Sequence, residues 1–382
     1  MSTTPDETAA SAPDGGRRIA FVVGSGRSGT STMSGTLQAL GMHVPQPEVG
    51  ADATNPKGFG EPQWIVEFHE RLLNRVRVQT ADARPQAWFD TERPAMREIF
   101  RNELFEWLEG QFEEAETSPA NQAGTRAGTS ELVIKDPRLV WFLGMWRGAS
   151  IRCRATPTYI TMLRPVTEVV GSKQKYYAGD PSRIGEISRT AGWVNVMLHT
   201  ERATRDSERA FVRYADLLDD WTVPVFDLGE RLHYAGVQRA SAQDLRRVHS
   251  FIDPSLRRVQ LTWDDVTVPA RLREIAQESW VALDRLADRD GDTPEVRATL
   301  DSLREAYVDY YTEAELLTQS TAASARQEGV VAERDRLTAL AEAHVSDTEA
   351  EGSRIPHSLR AMVPAGARRA VKQRLEARRG EQ

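Results

Sequence analysis

Residues 19–32 read IAFVVGSGRSGTST, a short apolar run that leads into glycine, serine and threonine. Five consecutive apolar residues, Ile19–Val23, are typical of a strand covered on both faces, as in a parallel sheet. Residues 33–41 have a helical pattern that ends at Gly41. The stretch therefore predicts a strand, a glycine-rich loop and a helix, the arrangement in which a helix N-terminus binds phosphate.

Three later segments, 131–136, 157–164 and 209–217, also have strand character, and the last of them leads into a short helix. Helical patterns over 62–112 and 182–206 separate these segments. Strands that alternate with helices favour a parallel sheet whose ligands bind at the carboxyl ends of the strands. We therefore predict an α/β fold with a central parallel sheet and flanking helices, similar to the P-loop NTPases.

The chain divides by composition into four parts. We predict a disordered lead-in over 1–17, an α/β domain over 18–290, a helical extension over 291–350 and a basic amphipathic tail over 351–382. Apolar residues three and four apart favour a long helix in the extension, either a short coiled coil that forms a homodimer or a helix that caps the domain. The tail is either solvated or lies on an anionic membrane surface.

Charge and cysteine content narrow the class of protein. With 49 basic and 56 acidic residues, the net charge of −7 argues against a general nucleic-acid binder. The single cysteine, Cys153, forms no disulfide within the chain, so we expect a reducing cytoplasm. The polar first 16 residues are unlike a signal peptide, and no apolar run nears the ~20 residues that span a bilayer. We therefore expect a cytoplasmic protein, with the inner face of the membrane as a second location.

The glycine loop resembles the Walker pattern G-x-x-x-x-G-K-[ST], but Thr30 stands where the lysine belongs. That lysine neutralises the phosphates of a nucleoside triphosphate, so its loss argues against triphosphate chemistry and a metal site. Backbone amides at a helix start still bind an anion. Arg27 supplies charge within the loop, and the hydroxyls come from Ser28, Thr30, Ser31 and Thr32. A dinucleotide loop and an ordinary tight turn are the alternatives.

A second anion site is predicted in LRPVTEVVGSKQKYY, residues 163–177. Arg164 ends a strand, and Pro165 is a favourable first residue of a helix. Ser172 follows two turns later, on the same helix face and roughly 10 Å along it. A guanidinium and a hydroxyl placed in this way grip a phosphate from two sides. The alternative is an arginine paired with a carboxylate.

The two motifs together, GSGRSGTS and LRPVTEVVGS, resemble the signatures of sulfotransferases that use 3′-phosphoadenosine 5′-phosphosulfate (PAPS). The segments NPKGFGE, VIKDPRLVWF and VRYADLL (55–61, 133–142 and 212–218) are typical of bacterial carbohydrate-type members. The resemblance runs from about residue 18 to 260. It implies that the first loop holds the 5′-phosphosulfate and that Arg164 and Ser172 hold the 3′-phosphate. It also implies release of 3′-phosphoadenosine 5′-phosphate (PAP), with no metal required.

The resemblance also implies catalytic roles. Arg27 is the cation for the leaving 5′-phosphate, with the loop amides of residues 28–32, Gly29 included, completing the cradle. Glu61 is the expected base, although a carboxylate at a helix start also fits. Lys135 would stabilise the bridging oxygen or the sulfonate. Asp136 would orient Lys135 or act as the base instead.

The acceptor side is less defined. The resemblance implies a hydroxyl-bearing acceptor, a sugar or a glycolipid. Arg138 either binds an acidic acceptor or forms an ion pair, and Arg213 and Tyr214 either line the nucleotide pocket or pack in the core. Six aromatic residues either form a cleft for the acceptor or pack in the core: Trp64, Trp88, Phe89, Trp141, Phe142 and Trp146.

Two other functions compete with sulfuryl transfer. A P-loop kinase or NTPase would depend on ATP and magnesium. A non-catalytic scaffold with a nucleotide-binding fold would act through the C-terminal helix and the tail, and would not bind PAP.

Overall fold

The computed structural model describes residues 16–52, 55, 58–117, 130–176, 183–253 and 261–351, together with 366, 369 and 373. A four-stranded parallel sheet lies at its centre, in the order β2-β1-β3-β4. The strands are β1 (Arg17–Val23), β2 (Glu131–Lys135), β3 (Ala155–Leu163) and β4 (Arg209–Arg213). The predicted fold class is confirmed.

Helices connect and flank the strands, and the segment predicted as helical over 62–112 contains three of them. In chain order the helices are α1 (Thr30–Ala39), α2 (Gln63–Val76), α3 (Ala87–Ala95), α4 (Glu98–Thr117), a 3₁₀ turn (Leu139–Phe142), α5 (Leu143–Arg152), α6 (Val166–Tyr176), α7 (Arg183–Thr204), α8 (Tyr214–Asp219), α9 (Thr222–Arg231), α10 (Ala235–Gln238), α11 (Ala242–Phe251), α12 (Ala270–Arg285) and α13 (Pro294–Glu351).

Strand β1 is covered on both faces, as its unbroken apolar run predicts. Ile19 and Phe21 face a cluster formed with helices α2, α4 and α5. Ala20 and Val22 point the opposite way, toward α1 and α9. Successive side chains of a strand alternate between the faces of a sheet, so both sets must be apolar when helices cover both sides.

The strand register aligns the carboxyl ends at one edge of the sheet. Val22 lies beside Lys135 of β2, and Val23 lies beside Thr161 of β3. Leu163 of β3 lies beside Arg213 of β4. The segments that follow all four strands therefore begin at the same edge, where open α/β sheets bind ligands.

The C-terminal helix α13 runs over 58 residues, from Pro294 to Glu351. Its first turns pack in an apolar cluster with α7 and α12 through Leu300, Leu303 and Tyr307. The Tyr307 hydroxyl also donates to the carbonyl oxygens of Ala83 and Ala191, over 2.6 and 3.0 Å. One compact unit accordingly extends to Tyr311.

A second unit covers Thr312–Gln382. In its described helical part the side chains of Leu316, Leu317 and Val330 are exposed. The predicted basic tail lies almost wholly outside the described residues, and a homodimer through the helix stays a prediction. No described helix combines the length and the apolar character that a membrane span needs.

Candidate active site

The glycine loop between β1 and α1 contains residues with positive φ, a backbone conformation that glycine adopts more easily than other residues. Gly24 has a φ of +129° and Gly29 a φ of +89°. A Cβ at Gly24 would lie 2.8 Å from the carbonyl oxygen of Met162, and a Cβ at Gly29 would collide with the Tyr214 ring. Arg27 has a φ of +76°, which is costly for a residue with a side chain.

The loop ends at the N-terminus of α1, which begins at Thr30 without a side-chain cap and with no acidic residue in its first turn. The first amides of a helix lack partners within it and carry a partial positive charge. Thr30, Ser31 and Thr32 line a cavity at this point. Ser28 differs, because its amide donates to the Ser25 carbonyl oxygen and its buried hydroxyl has no hydrogen-bond partner among the described residues.

The cavity has a volume of about 630 Å³, which is in the range of small-molecule sites. Its described lining is strongly basic, with Glu61 as its acidic residue. The basic lining residues come from distant parts of the chain: Arg27, Lys135, Arg138, Arg164, Lys173 and Arg189. This excess of positive charge fits an anionic ligand.

The predicted second anion site is joined directly to the glycine loop. The Arg27 Nε donates to the Ser172 hydroxyl over 3.1 Å. An Arg164 Nη1 donates to the carbonyl oxygen of Arg27 over 3.0 Å, and its Nε donates to Glu168. The Arg164 guanidinium also lies over the Tyr214 ring, 5.2 Å from its centroid. The structure therefore brings Arg27, Arg164, Ser172 and Tyr214 together at one wall of the cavity.

Lys135 and Glu61 form a buried ion pair at the end of β2. The same ammonium donates to the Phe59 carbonyl oxygen over 3.1 Å and to the Ser31 hydroxyl over 3.3 Å. Burial raises the pKa of the Glu61 carboxyl above its ordinary value, and the charge of Lys135 counters part of that rise. The glycine loop follows β1, and Lys135 at the end of β2 thus supplies it with a cation from the neighbouring strand.

Asp136 is buried in a hydrogen-bonded chain outside the cavity lining. The Trp146 Nε1 donates to His69 Nε2 over 2.8 Å, which leaves the proton of the neutral ring on Nδ1, 3.3 Å from Asp136. The other carboxylate oxygen accepts from the Arg138 amide and guanidinium. His69 and Arg138 together hold the pKa of Asp136 at about 2, despite its burial. Both carboxylate oxygens are thus engaged by His69 and Arg138, which argues against the role of base. These bonds orient His69 and Arg138, whereas the sequence predicts that Asp136 orients Lys135.

Arg213 is placed differently from the prediction that it lines the nucleotide pocket. Its guanidinium pairs with Asp284 and Asp288, over 2.7 and 2.8 Å, on the side of α12. It does not appear in the described lining of the cavity, whereas Tyr214 does. The next residue in the chain thus lines the cavity, since consecutive side chains at a strand end point in different directions.

Several polar lining residues were not predicted as site residues, among them Lys173, Arg189 and Ser25. Lys173 Nζ lies 3.3 Å from the Ser25 hydroxyl, and Arg189 lies close enough to lower the pKa of Lys173. Lys173 follows Ser172 in the sequence, but a basic residue in a helix ordinarily indicates an exposed face. Ser25 lies within the glycine loop, whereas no sequence motif near Arg189 indicates a binding site.

The aromatic residues proposed for an acceptor cleft do not appear in the described lining of the cavity, to which Phe59 contributes instead. Trp141, Phe142 and Trp146 are buried in the cluster on one face of the sheet. Trp64 stacks on Trp107, with 4.5 Å between the ring centroids. The structure therefore favours the core interpretation for these four residues, while Trp88 and Phe89 are exposed.

No protein-family model and no curated protein matches this chain. Solved structures similar to it include two sulfotransferase domains. The sulfotransferase domain from the Synechococcus PCC 7002 olefin synthase is 17% identical, with 71% of this chain and 97% of that domain covered and a TM-score of 0.37. The sulfotransferase domain from the curacin biosynthetic pathway is 16% identical, with 70% and 98% covered and a TM-score of 0.36. At this level of likeness, function has to be inferred from the residues of the site.

Proposed function

We propose that this protein transfers a sulfuryl group from PAPS to a hydroxyl group of an acceptor. The observation that carries the proposal is that one basic cavity contains a phosphate-type loop without the Walker lysine, the Arg164–Ser172 pair and the buried Lys135–Glu61 pair. PAPS carries two separate anionic groups, and the cavity offers two separate groups of cations and hydroxyls for them. A nucleoside triphosphate would need a cation at Thr30 and a metal ion.

The helix N-terminus at Thr30–Thr32 and the guanidinium of Arg27 would hold the 5′-phosphosulfate. Arg164 and Ser172 would hold the 3′-phosphate. Arg27 connects the glycine loop to the Arg164–Ser172 pair. Its side chain donates to the Ser172 hydroxyl, and its carbonyl oxygen accepts a hydrogen bond from Arg164. The two halves of the donor site are therefore fixed relative to each other before the donor binds, which lowers the entropic cost of positioning it.

In the proposed reaction Glu61 takes the proton of the acceptor hydroxyl as that oxygen forms a bond to sulfur. The bond between sulfur and the bridging oxygen of the 5′-phosphate breaks, and its electron pair leaves with PAP. Lys135, bonded to Glu61 and to Ser31 of the loop, lies between the base and the phosphosulfate cradle. Its charge would stabilise the negative charge that develops on the transferred group.

We further propose a carbohydrate or glycolipid hydroxyl as the acceptor. The support for this finer assignment is the resemblance of segments 55–61 and 133–142 to carbohydrate-type sulfotransferases. Both segments supply residues of the cavity, Glu61 and Lys135 among them.

Calorimetric titration with PAP and with ATP plus magnesium separates the three candidate functions. A sulfotransferase binds PAP without metal, a kinase binds only the magnesium complex of ATP, and a scaffold binds neither. Arg164→Ala should weaken PAP binding by roughly 10- to 100-fold, since charge-assisted hydrogen bonds contribute about 1.5–3 kcal/mol. It should leave adenosine 5′-phosphate binding nearly intact. Arg213→Ala is the matched control, and equal losses in both variants would refute the placement of the 3′-phosphate.

Glu61→Gln tests the base. General-base catalysis contributes roughly 10²- to 10⁴-fold, so turnover of PAPS should fall by that factor while PAP affinity stays within about threefold. The substitution keeps the shape of the side chain and an oxygen that can face Lys135. A fully active Glu61→Gln protein would exclude Glu61 as the base.

A further inference from the structure

Lys173, on helix α6, lines the cavity next to the proposed donor site and has no role in that site. Its neighbour Ser172 bonds to Arg27, whereas the Lys173 ammonium reaches the hydroxyl of Ser25, at the opposite end of the loop from α1. Successive residues of a helix point about 100° apart. Lys173 therefore serves a different part of the cavity from the Arg164–Ser172 pair.

Three other basic residues of the lining pair with carboxylates. Lys135 pairs with Glu61, Arg138 with Asp136 and Glu70, and Arg164 with Glu168. The hydrogen-bond partner of Lys173 in the described residues is a neutral hydroxyl, and the charge near it is the cation Arg189. Burial and Arg189 lower the pKa of Lys173 to about 8. A cation held in this way gains stability when an anion enters beside it.

Helix α7 contributes Ser188, Arg189 and Val196 to the cavity wall, and the segment 79–81 contributes Thr80. Arg189 lies close enough to Lys173 to act on its charge. Helix α7 and the segment 79–81 are packed closely, since a Cβ at Gly192 would lie 2.4 Å from the Ala81 carbonyl oxygen. Helix α7 is thus held in place, and its Arg189 brings positive charge toward Lys173.

We infer that Lys173 and Ser25 form a third anion subsite, which binds a carboxylate or phosphate group of the acceptor. The inference rests on the proposed function and narrows it: the acceptor carries a negative charge in addition to the hydroxyl that receives the sulfuryl group. Arg189 adds to the positive potential of the subsite. An acidic sugar or a phosphorylated sugar meets both requirements, and a neutral glycan does not.

The test is a titration of the full-length protein, saturated with PAP, with inorganic phosphate in one arm and acetate in the other. We expect millimolar binding of one of these probes, and the probe that binds shows whether the acceptor group is a phosphate or a carboxylate. Lys173→Met keeps most of the length of the side chain and removes its charge. It should weaken that binding at least 10-fold, the loss of one charge-assisted hydrogen bond, and change PAP affinity by less than about threefold.

Lys135→Met is the matched control, because a probe anion could also enter the position of the absent sulfuryl group. Loss of probe binding in Lys135→Met but not in Lys173→Met places the anion there and overturns the third subsite. Absence of binding of both probes to the PAP complex overturns it as well, and leaves the proposed function intact. Failure of the wild-type protein to bind PAP overturns the proposed function itself, and the inference with it.

Discussion

Gly29 is the position where the glycine loop tolerates a side chain least. A methyl group there would lie 2.1 and 2.6 Å from the Tyr214 Cδ2 and Cε2 atoms, far inside van der Waals contact. The residue also has a φ of +89°. A positive φ costs about 1–2 kcal/mol for a residue with a Cβ, and overpacking costs about 1–3 kcal/mol. Gly29→Ala should therefore lower the free energy of unfolding by about 2–5 kcal/mol.

Gly26, three residues earlier in the same loop, is the matched control. A Cβ there would meet only Pro137 side-chain atoms, at 3.9 and 4.0 Å, and its φ lies outside the positive range. Gly26→Ala should change the free energy of unfolding by less than about 1 kcal/mol. Because Gly26 lines the cavity, its added methyl group should instead weaken PAP binding. One substitution thus reports on the fold and the other on the ligand.

Urea-induced unfolding of both variants, in the wild-type and Tyr214→Ala backgrounds, separates the two terms. Without the ring of Tyr214 the collision disappears, and Gly29→Ala should cost only the backbone strain, about 1–2 kcal/mol. An equal loss in both backgrounds would refute the collision with Tyr214. A Gly29→Ala protein as stable as the wild type would refute the loop geometry altogether.

Two further predictions concern pH. Asp136 has a pKa of about 2 against an ordinary value of 3.8, so it contributes about 2 kcal/mol of stability that is present above pH ~4 and is lost as the pH falls toward 2. The difference in the free energy of unfolding between the wild type and Asp136→Asn should therefore shrink over that range, as urea titrations at each pH would measure, and a constant difference would contradict the assignment. Lys135→Met removes the cation that lowers the pKa of Glu61, so the acidic limb of the kcat–pH profile should move to higher pH. An unmoved limb would mean that another group is the base.

The strands and the glycine loop could be predicted because their signals are local. The run at Ile19–Val23 is apolar on both faces, and Lys135 and Arg164 each stand at the carboxyl end of such a run, so a parallel sheet brings them to one edge. The direction of the chain after each strand decides which of two adjacent side chains lines the cavity. That is why Tyr214 lines the cavity while Arg213 pairs with Asp284, a residue 71 positions away.

The rest of the site depends on contacts between distant segments. Whether Asp136 acts as a base depends on His69, and the tautomer of His69 depends on Trp146, which lies 77 residues from it. The spacing of residues in the sequence carries no information about such a series of hydrogen bonds. The same holds for Arg189, which reaches the cavity because α7 packs against the segment 79–81 through Gly192. Local sequence therefore predicted most of the lining residues of the glycine loop and the Arg164–Ser172 pair, but not Lys173 and Arg189.

Arg27 combines a costly backbone conformation with contacts to both Arg164 and Ser172. Its φ of +76° turns its carbonyl oxygen to Arg164 while its guanidinium reaches Ser172. Glycine adopts this conformation without strain, so Arg27→Gly should be about 0.5–1 kcal/mol more stable than Arg27→Ala, after the entropic cost of glycine in the unfolded chain is subtracted. Both variants lack the guanidinium and should lose PAPS turnover equally. Arg27→Gly would then be more stable than Arg27→Ala but no more active, as expected where a strained residue is kept for function. Equal stabilities of Arg27→Gly and Arg27→Ala in urea would show that the backbone at this position is unstrained, and the charge of Arg27 alone would then account for its place in the loop.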